Sequence, residues 1–226
     1  MRETNEINEP PLKGPWPAWA LAAVILGSYL VQTLCFASVD QAAGAFGLAV
    51  SDLGRGRTFT LVTCLFVHGG WAHAGMNAAG ALAFGAPVAR LLGKGVKGAA
   101  SFALFYIVCG VLAGLGYAAV SPHSQAVLIG ASGAVSGLFG AASRLMEHRP
   151  RLSPFASRFV VGSAAAWLVV NLAMGLSGLA PGLGVTPIAW QAHLFGYAAG
   201  LLLIGPWSHL LGPRQPSRDQ APEELI

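Results

Sequence analysis

The chain has 226 residues, of which 54% are hydrophobic and only 10% charged, and its mean hydropathy is +0.61. A soluble domain carries about 25% charged residues, so the composition excludes a soluble globular enzyme, a disordered chain and a nucleic-acid binder. The net charge of +4 reads as the Lys/Arg excess that a multi-span membrane protein keeps in its cytoplasmic loops.

Runs without charge locate the spans. Gly14–Val39, Thr58–Ala89, Gly98–Ser143 and Phe159–Pro213 are free of charge over 26, 32, 46 and 55 residues. A spanning helix needs about 20 apolar residues, so the first two runs hold one helix each. The third breaks at Ser121–Gln125. The fourth breaks within Ser177–Pro187, where Pro181, Gly182, Gly184 and Pro187 favour turns. The prediction is an all-α polytopic membrane protein with six transmembrane helices, over 16–37, 72–90, 99–120, 127–146, 159–177 and 190–211. A segment 1–15 precedes the membrane domain 16–212, and a polar tail 213–226 follows it.

Basic residues set the orientation. With segment 1–15 inside, the inner segments carry Arg2, Lys13, Arg90, Lys94, Lys97, Arg144, Arg149, Arg151, Arg158, Arg214 and Arg218, and the outer ones only Arg55 and Arg57. That bias predicts both termini cytoplasmic. The head before Trp16 leans acidic and lacks the pattern of a signal peptide, so the first helix is expected to stay as an anchor. Residues 38–71 form the longest connection, and a connection of that length is expected to carry function or a partly embedded fold.

Cys35, Cys64 and Cys109 form no paired motif and read as buried structural cysteines. Gly93-Lys94-Gly95-Val96-Lys97-Gly98 matches a dinucleotide-binding pattern, but no strand precedes it and no βαβ unit fits. It reads as a cytoplasmic turn.

Polar groups at membrane depth are costly and point to function. Helices 2, 4 and 6 all run from outside to inside. His73 and Asn77 open helix 2, Ser132 lies near the start of helix 4, and His193 near the start of helix 6. Trp71 and Trp190 just precede the two histidines, as interfacial residues do. All four polar side chains are therefore expected at one shallow depth below the outer surface. Ser132 sits in Gly130-Ala131-Ser132-Gly133, where small neighbours leave its hydroxyl uncrowded and a helix start favours an oxyanion.

Helices 4 and 6 carry glycines on facing surfaces, among them Gly130, Gly133, Gly137 and Gly140 on one and Gly196 and Gly200 on the other. Glycine faces let helices approach closely in lipid, which predicts a Ser132–His193 contact of nucleophile and base. His73 and Asn77, at i and i+4, share one helix face and supply donors for an oxyanion. No acid lies where it would complete a triad, so the expectation is a Ser–His dyad. His68 reads as a structural brace of the outer loop. Zinc on His68 and His73 lacks further ligands. His123, His148 and His209 read as turn or interface residues.

Taken together, His68-Gly69-Gly70-Trp71-Ala72-His73 with Asn77, then Gly130-Ala131-Ser132-Gly133, then Ala192-His193-Leu194-Phe195-Gly196 with Gly200, resemble the three signatures of the rhomboid intramembrane serine proteases. They stand in family order, and the resemblance covers about residues 16–211 in the basic six-helix bacterial form. It implies a rhomboid-like bundle that hydrolyses peptide bonds in or near the membrane segments of single-span transmembrane substrates. By motif match, Ser132 is the nucleophile and His193 the general base. The oxyanion hole is His73, Asn77 and the Ser132 backbone N–H. The resemblance implies no metal, no cofactor and no nucleic-acid partner. It also implies a bacterial inner-membrane location, with the active site opening to the periplasmic side of the lipid bilayer.

Two positions depart from the family pattern. Many members carry Trp-Arg in the outer loop where this chain has Phe59-Thr60, which leaves Arg55 or Arg57 to anchor the loop. Many carry an aromatic four residues after the nucleophile, stacked on the histidine. Here that residue is Ser136, which cannot stack, so either His193 is oriented from elsewhere or activity is modest. The alternative function is a catalytically inactive rhomboid-like protein that binds transmembrane clients, and the retention of Ser132 and His193 argues against it. A transporter is disfavoured because the polar cluster lies on one side and contains no acid.

Overall fold

The computed structural model describes residues 14–147, 152–177, 179–180, 184–185 and 189–212. Six helices occupy the places in the chain where charge-free runs predict them. They are α1 (Trp16–Cys35), α5 (Trp71–Leu92), α6 (Gly95–Val120), α7 (Ser132–Ser143), α8 (Arg158–Ser177) and α9 (Trp190–Leu211). Three short helices, α2 (Val39–Phe46), α3 (Val50–Leu53) and α4 (Thr60–Thr63), and a 3-10 turn at Cys64–Phe66 fill the long outer connection. The chain is thus an integral membrane protein of helical type. Four helices, α1, α6, α8 and α9, are long and apolar enough to cross a bilayer. Helix α5 has 22 residues but is diluted by glycine, alanine, His73 and Asn77.

Helix α7 is shorter than predicted. Helix 4 was expected over 127–146, yet only Ser132–Ser143 are helical. Val127–Leu128 form strand β2, which pairs antiparallel with β1 (Leu48–Ala49), Leu48 opposite Leu128 and Ala49 opposite Val127. Gly130 then takes φ +108°, a conformation open to glycine and closed to a helix interior. An extended stretch advances about 3.3 Å per residue against 1.5 Å for a helix. The approach to Ser132 therefore carries it further from the outer turn than a helical start at 127 does.

Helix α7 is the centre of the bundle. Helices α5, α6 and α9 surround it, α1 packs on α5, and α8 lies outside against α9 and α7. Every residue of α7 except Ser132 and Phe139 is buried. A helix enclosed on all sides needs small residues if its neighbours are to close on it, and α7 reads SGAVSGLFGAAS. Against α9 the contact is backbone to backbone. A Cβ on Gly196 would strike the Gly133 carbonyl, one on Gly200 the Gly137 carbonyl, and one on Gly140 the Tyr197 carbonyl. Such packing is what holds helices together where lipid removes the hydrophobic drive.

The glycine-rich run after α5 is a turn, as predicted, although residues from Gly95 onward already belong to α6. Positive φ at Gly93 and Gly95 makes the reversal. Within the predicted break of the fourth run, Leu179–Ala180 pair antiparallel with Gly184–Val185. The predicted turn residues Pro181, Gly182 and Pro187 lie outside the described residues, as do His148, residues 1–13 and the whole segment 213–226. Cys64 and Cys109 are buried, but Cys35 is exposed. It ends α1, a helix that meets the bundle on one side and leaves Val31 and Leu34 facing outward as well.

Gly200→Ala is expected to lower stability in detergent by about 1–3 kcal/mol, the range for overpacked sites. Gly162→Ala, with nothing within 4 Å of the added methyl, should leave the thermal midpoint unchanged or slightly raised. Paired thermal unfolding of the two variants checks this.

Candidate active site

The extended approach after α6 is pinned where it turns into α7. The Gly130 N–H donates to the Cys64 carbonyl at 2.9 Å, and the Ala131 N–H donates to His68 Nε2 at 3.5 Å. Ser132 follows as the first residue of α7. The N-cap residue Ala131 offers no side-chain bond, so the first-turn N–H groups are not covered by a cap.

His193 lies in the first turn of α9. The Gly133–Gly196 approach brings the two helix starts together, and His193 Nε2 is 2.8 Å from Ser132 Oγ. Both residues are partly exposed, so the pair is open to solvent or to a substrate. On its other side the imidazole meets a residue the sequence analysis missed. His193 Nδ1 is 2.7 Å from Oδ1 of Asn171 on α8. Asn171 is fully buried, and its Nδ2 donates to the Trp167 carbonyl at 2.8 Å. The signal that could have found it was an amide inside the fourth charge-free run.

His73 and Asn77 open α5 and are both buried. His73 Nδ1 accepts from the Gly69 N–H at 3.3 Å. In a neutral imidazole the other nitrogen then carries the proton. That Nε2 faces the turn before Ser132, since a Cβ on Gly130 would lie 2.6 Å from it and 3.8 Å from Asn77 Nδ2. Asn77 Nδ2 donates to the His73 carbonyl at 3.0 Å and keeps one further N–H. Thus Ser132, His193, His73 and Asn77 stand around the 130–133 turn, with Gly133 and Gly196 forming the floor between α7 and α9.

The outer connection is fastened by groups the sequence only partly marked. Gln32 of α1, a polar residue in the first apolar run, clasps the His68 backbone. Its Nε2 donates to the His68 carbonyl at 2.8 Å, and its Oε1 accepts from the His68 N–H at 2.9 Å. The buried His68 ring stands edge-on to His73, with centroids 5.2 Å apart, which places it as a brace between loop and site. Of the two arginines, Arg57 anchors the loop. It donates to Asp52 Oδ2 at 2.9 Å and to the carbonyls of Gly44 and Ala45 at 3.1 and 2.7 Å. Arg55 reaches Asp52 only at 3.8 Å. Ser136 donates to the Ser132 carbonyl at 2.7 Å and holds the first turn of α7. Among the described residues, no group of three or more His, Cys, Asp or Glu is arranged to hold a metal ion.

Comparison with known proteins gives two findings. A family model described as Rhomboid domain matches residues 55–209. A protein of Bacillus subtilis (strain 168) named "Putative rhomboid protease YdcA" is 29% identical over 149 residues, covering 66% of this chain and 67% of its own length.

Gln32→Leu is expected to lower stability by about 2 kcal/mol or more, because two buried backbone groups lose their partners at about 1–3 kcal/mol each. The thermal midpoint in detergent should fall. Amide exchange should speed up first around residues 66–70.

Proposed function

The chain belongs to the rhomboid family, and from that membership we propose that it is an intramembrane serine endopeptidase acting through a Ser132–His193 dyad. The observation that carries this reading is the 2.8 Å contact between His193 Nε2 and Ser132 Oγ, at the start of two helices whose backbones touch. In this reading six helices cross the bacterial inner membrane. Both termini are cytoplasmic, and the site opens toward the periplasm.

The chemistry follows from the donors and acceptors present. A single-span transmembrane substrate enters from the bilayer and unwinds locally, so that a peptide carbonyl reaches Ser132. Ser132 Oγ attacks the carbonyl carbon while His193 Nε2 takes the hydroxyl proton. The carbonyl oxygen becomes an oxyanion. It receives hydrogen bonds from the Ser132 backbone N–H, from His73 Nε2 and from the spare N–H of Asn77, assisted by the positive end of α7. On collapse the C–N bond breaks, and His193 returns its proton to the leaving amine. Water then attacks the acyl-enzyme with His193 as base, and Ser132 is regenerated. That water must come from the outer face, and both residues keep partial exposure there in this reading.

Purified protein incubated with transmembrane substrates should cleave them, and Ser132→Ala and His193→Ala should abolish cleavage. Asn77→Ala should lower kcat about 100- to 1,000-fold, the cost of one oxyanion donor. A Ser132→Ala variant that cleaves like the wild type refutes the assignment.

A further inference from the structure

We propose that Asn171 is a positioning residue whose side-chain carbonyl holds His193 in the tautomer that leaves Nε2 free to take the Ser132 proton. The proposal rests on the protease reading above and names what that reading lacks, a group that orients the base.

The argument begins with the amide. Asn171 Nδ2 donates to the Trp167 carbonyl at 2.8 Å, one turn back on α8. Turned over, the amide would set its oxygen against that carbonyl, two acceptors facing each other. The bond to Trp167 therefore fixes Oδ1 toward His193, at 2.7 Å from Nδ1. A carbonyl oxygen only accepts, so Nδ1 carries the imidazole proton. In the neutral ring Nε2 then bears the lone pair, and Ser132 Oγ, 2.8 Å away, is the donor. Without the amide, the tautomer with Nε2–H competes, and that form cannot accept the Ser132 proton.

Burial supports the same assignment. Only Val160 and Asn171 of α8 are buried, while Val161, Val169, Val170 and Leu176 face outward. A polar side chain on such a helix is costly in a bilayer unless it is partnered. Asn171 is partnered on both of its polar atoms. Other described neighbours of the ring cannot choose its tautomer, because none of them bonds to Nδ1 and a tilted aromatic contact has no preference between the two nitrogens. Ser136 is bonded to the Ser132 carbonyl, and the Trp167 ring centroid stands 6.4 Å from that of His193 with the planes tilted by 39°. No described carboxylate bonds to His193, and the titratable group facing it from α5 is His73. When Ser132 gives up its proton, Nε2 gains it and Nδ1–H stays on Asn171. The amide thus orients the imidazolium without adding charge.

The test compares the wild type, Ser132→Ala, Asn171→Ala and Asn171→Asp as full-length purified chains. The readouts are fluorophosphonate labelling rate, kcat and KM on a transmembrane substrate, pH profile and thermal midpoint. Asn171→Ala should lower kcat and labelling about 10- to 100-fold, up to the lower end of what a general base contributes, with KM within about twofold if binding is untouched. Asn171→Asp keeps the acceptor toward His193 but sets its second oxygen against the Trp167 carbonyl, so it should recover part of the rate lost in Asn171→Ala. Its carboxylate favours the imidazolium, so the acid limb of its profile should move to higher pH by about one unit or more. Wild-type labelling and kcat in Asn171→Ala overturn the proposal. An acid limb in Asn171→Asp that coincides with the wild type also overturns it, whether or not the alanine variant folds. A wild-type chain that no probe labels at Ser132 overturns the protease reading itself, and this proposal with it.

Discussion

The contact of α7 with α9 through glycine is the constraint on which the rest depends. Backbone meets backbone at Gly133–Gly196 and Gly137–Gly200. Side chains at those positions would hold the helix axes at the 8–10 Å or so of ordinary packing, and a serine and a histidine on the two rods would lose their hydrogen bond. The composition of the bundle follows from this. Nine of the twelve residues of the central helix are glycine, alanine or serine. Bulk around it is carried by Phe102, Phe105 and Tyr106 of α6, which close the space beside it. Most of the large apolar side chains of α1 and α8 turn outward, where a bilayer takes them up.

Around this centre, polar side chains act as clasps rather than as surface. Gln32 grips the backbone of His68, Arg57 gathers the carbonyl end of α2, and Asn171 joins α8 to the imidazole. Arg57 suits its place because a guanidinium has several donors and the last carbonyls of a helix carry partial negative charge. The long outer connection therefore folds without a large core of its own.

The positions of the six longer helices were legible because charge is the costliest feature in a bilayer and its absence marks the apolar segments. The facing glycines were legible because they repeat at helical spacing. The start of α7 was not. Val127-Leu128-Ile129 is an apolar run that suits a strand as well as a helix, and periodicity does not separate the two. Its strand character comes from Leu48–Ala49, about 80 residues away in the chain. Asn171 and Gln32 went unseen because uncharged amides leave the charge pattern intact. Their partners, His193 and His68, lie 22 and 36 residues away, beyond any local motif. The same rule that singled out His73 and Asn77, applied to every amide in an apolar run, would have found both.

The ribbon of β1 and β2 has one more consequence. The dozen or so residues between α6 and Ser132 are paired to Leu48–Ala49, bonded to Cys64 and bonded to His68. That stretch behaves as a ruler of fixed length, set by its neighbours at three marks. One residue added or removed between Leu128 and Gly130 would put the strand pairing and the bonds to Cys64 and His68 out of step by one residue. Length is thus held by geometry here: the serine keeps its depth because the strand that delivers it is clamped at both ends.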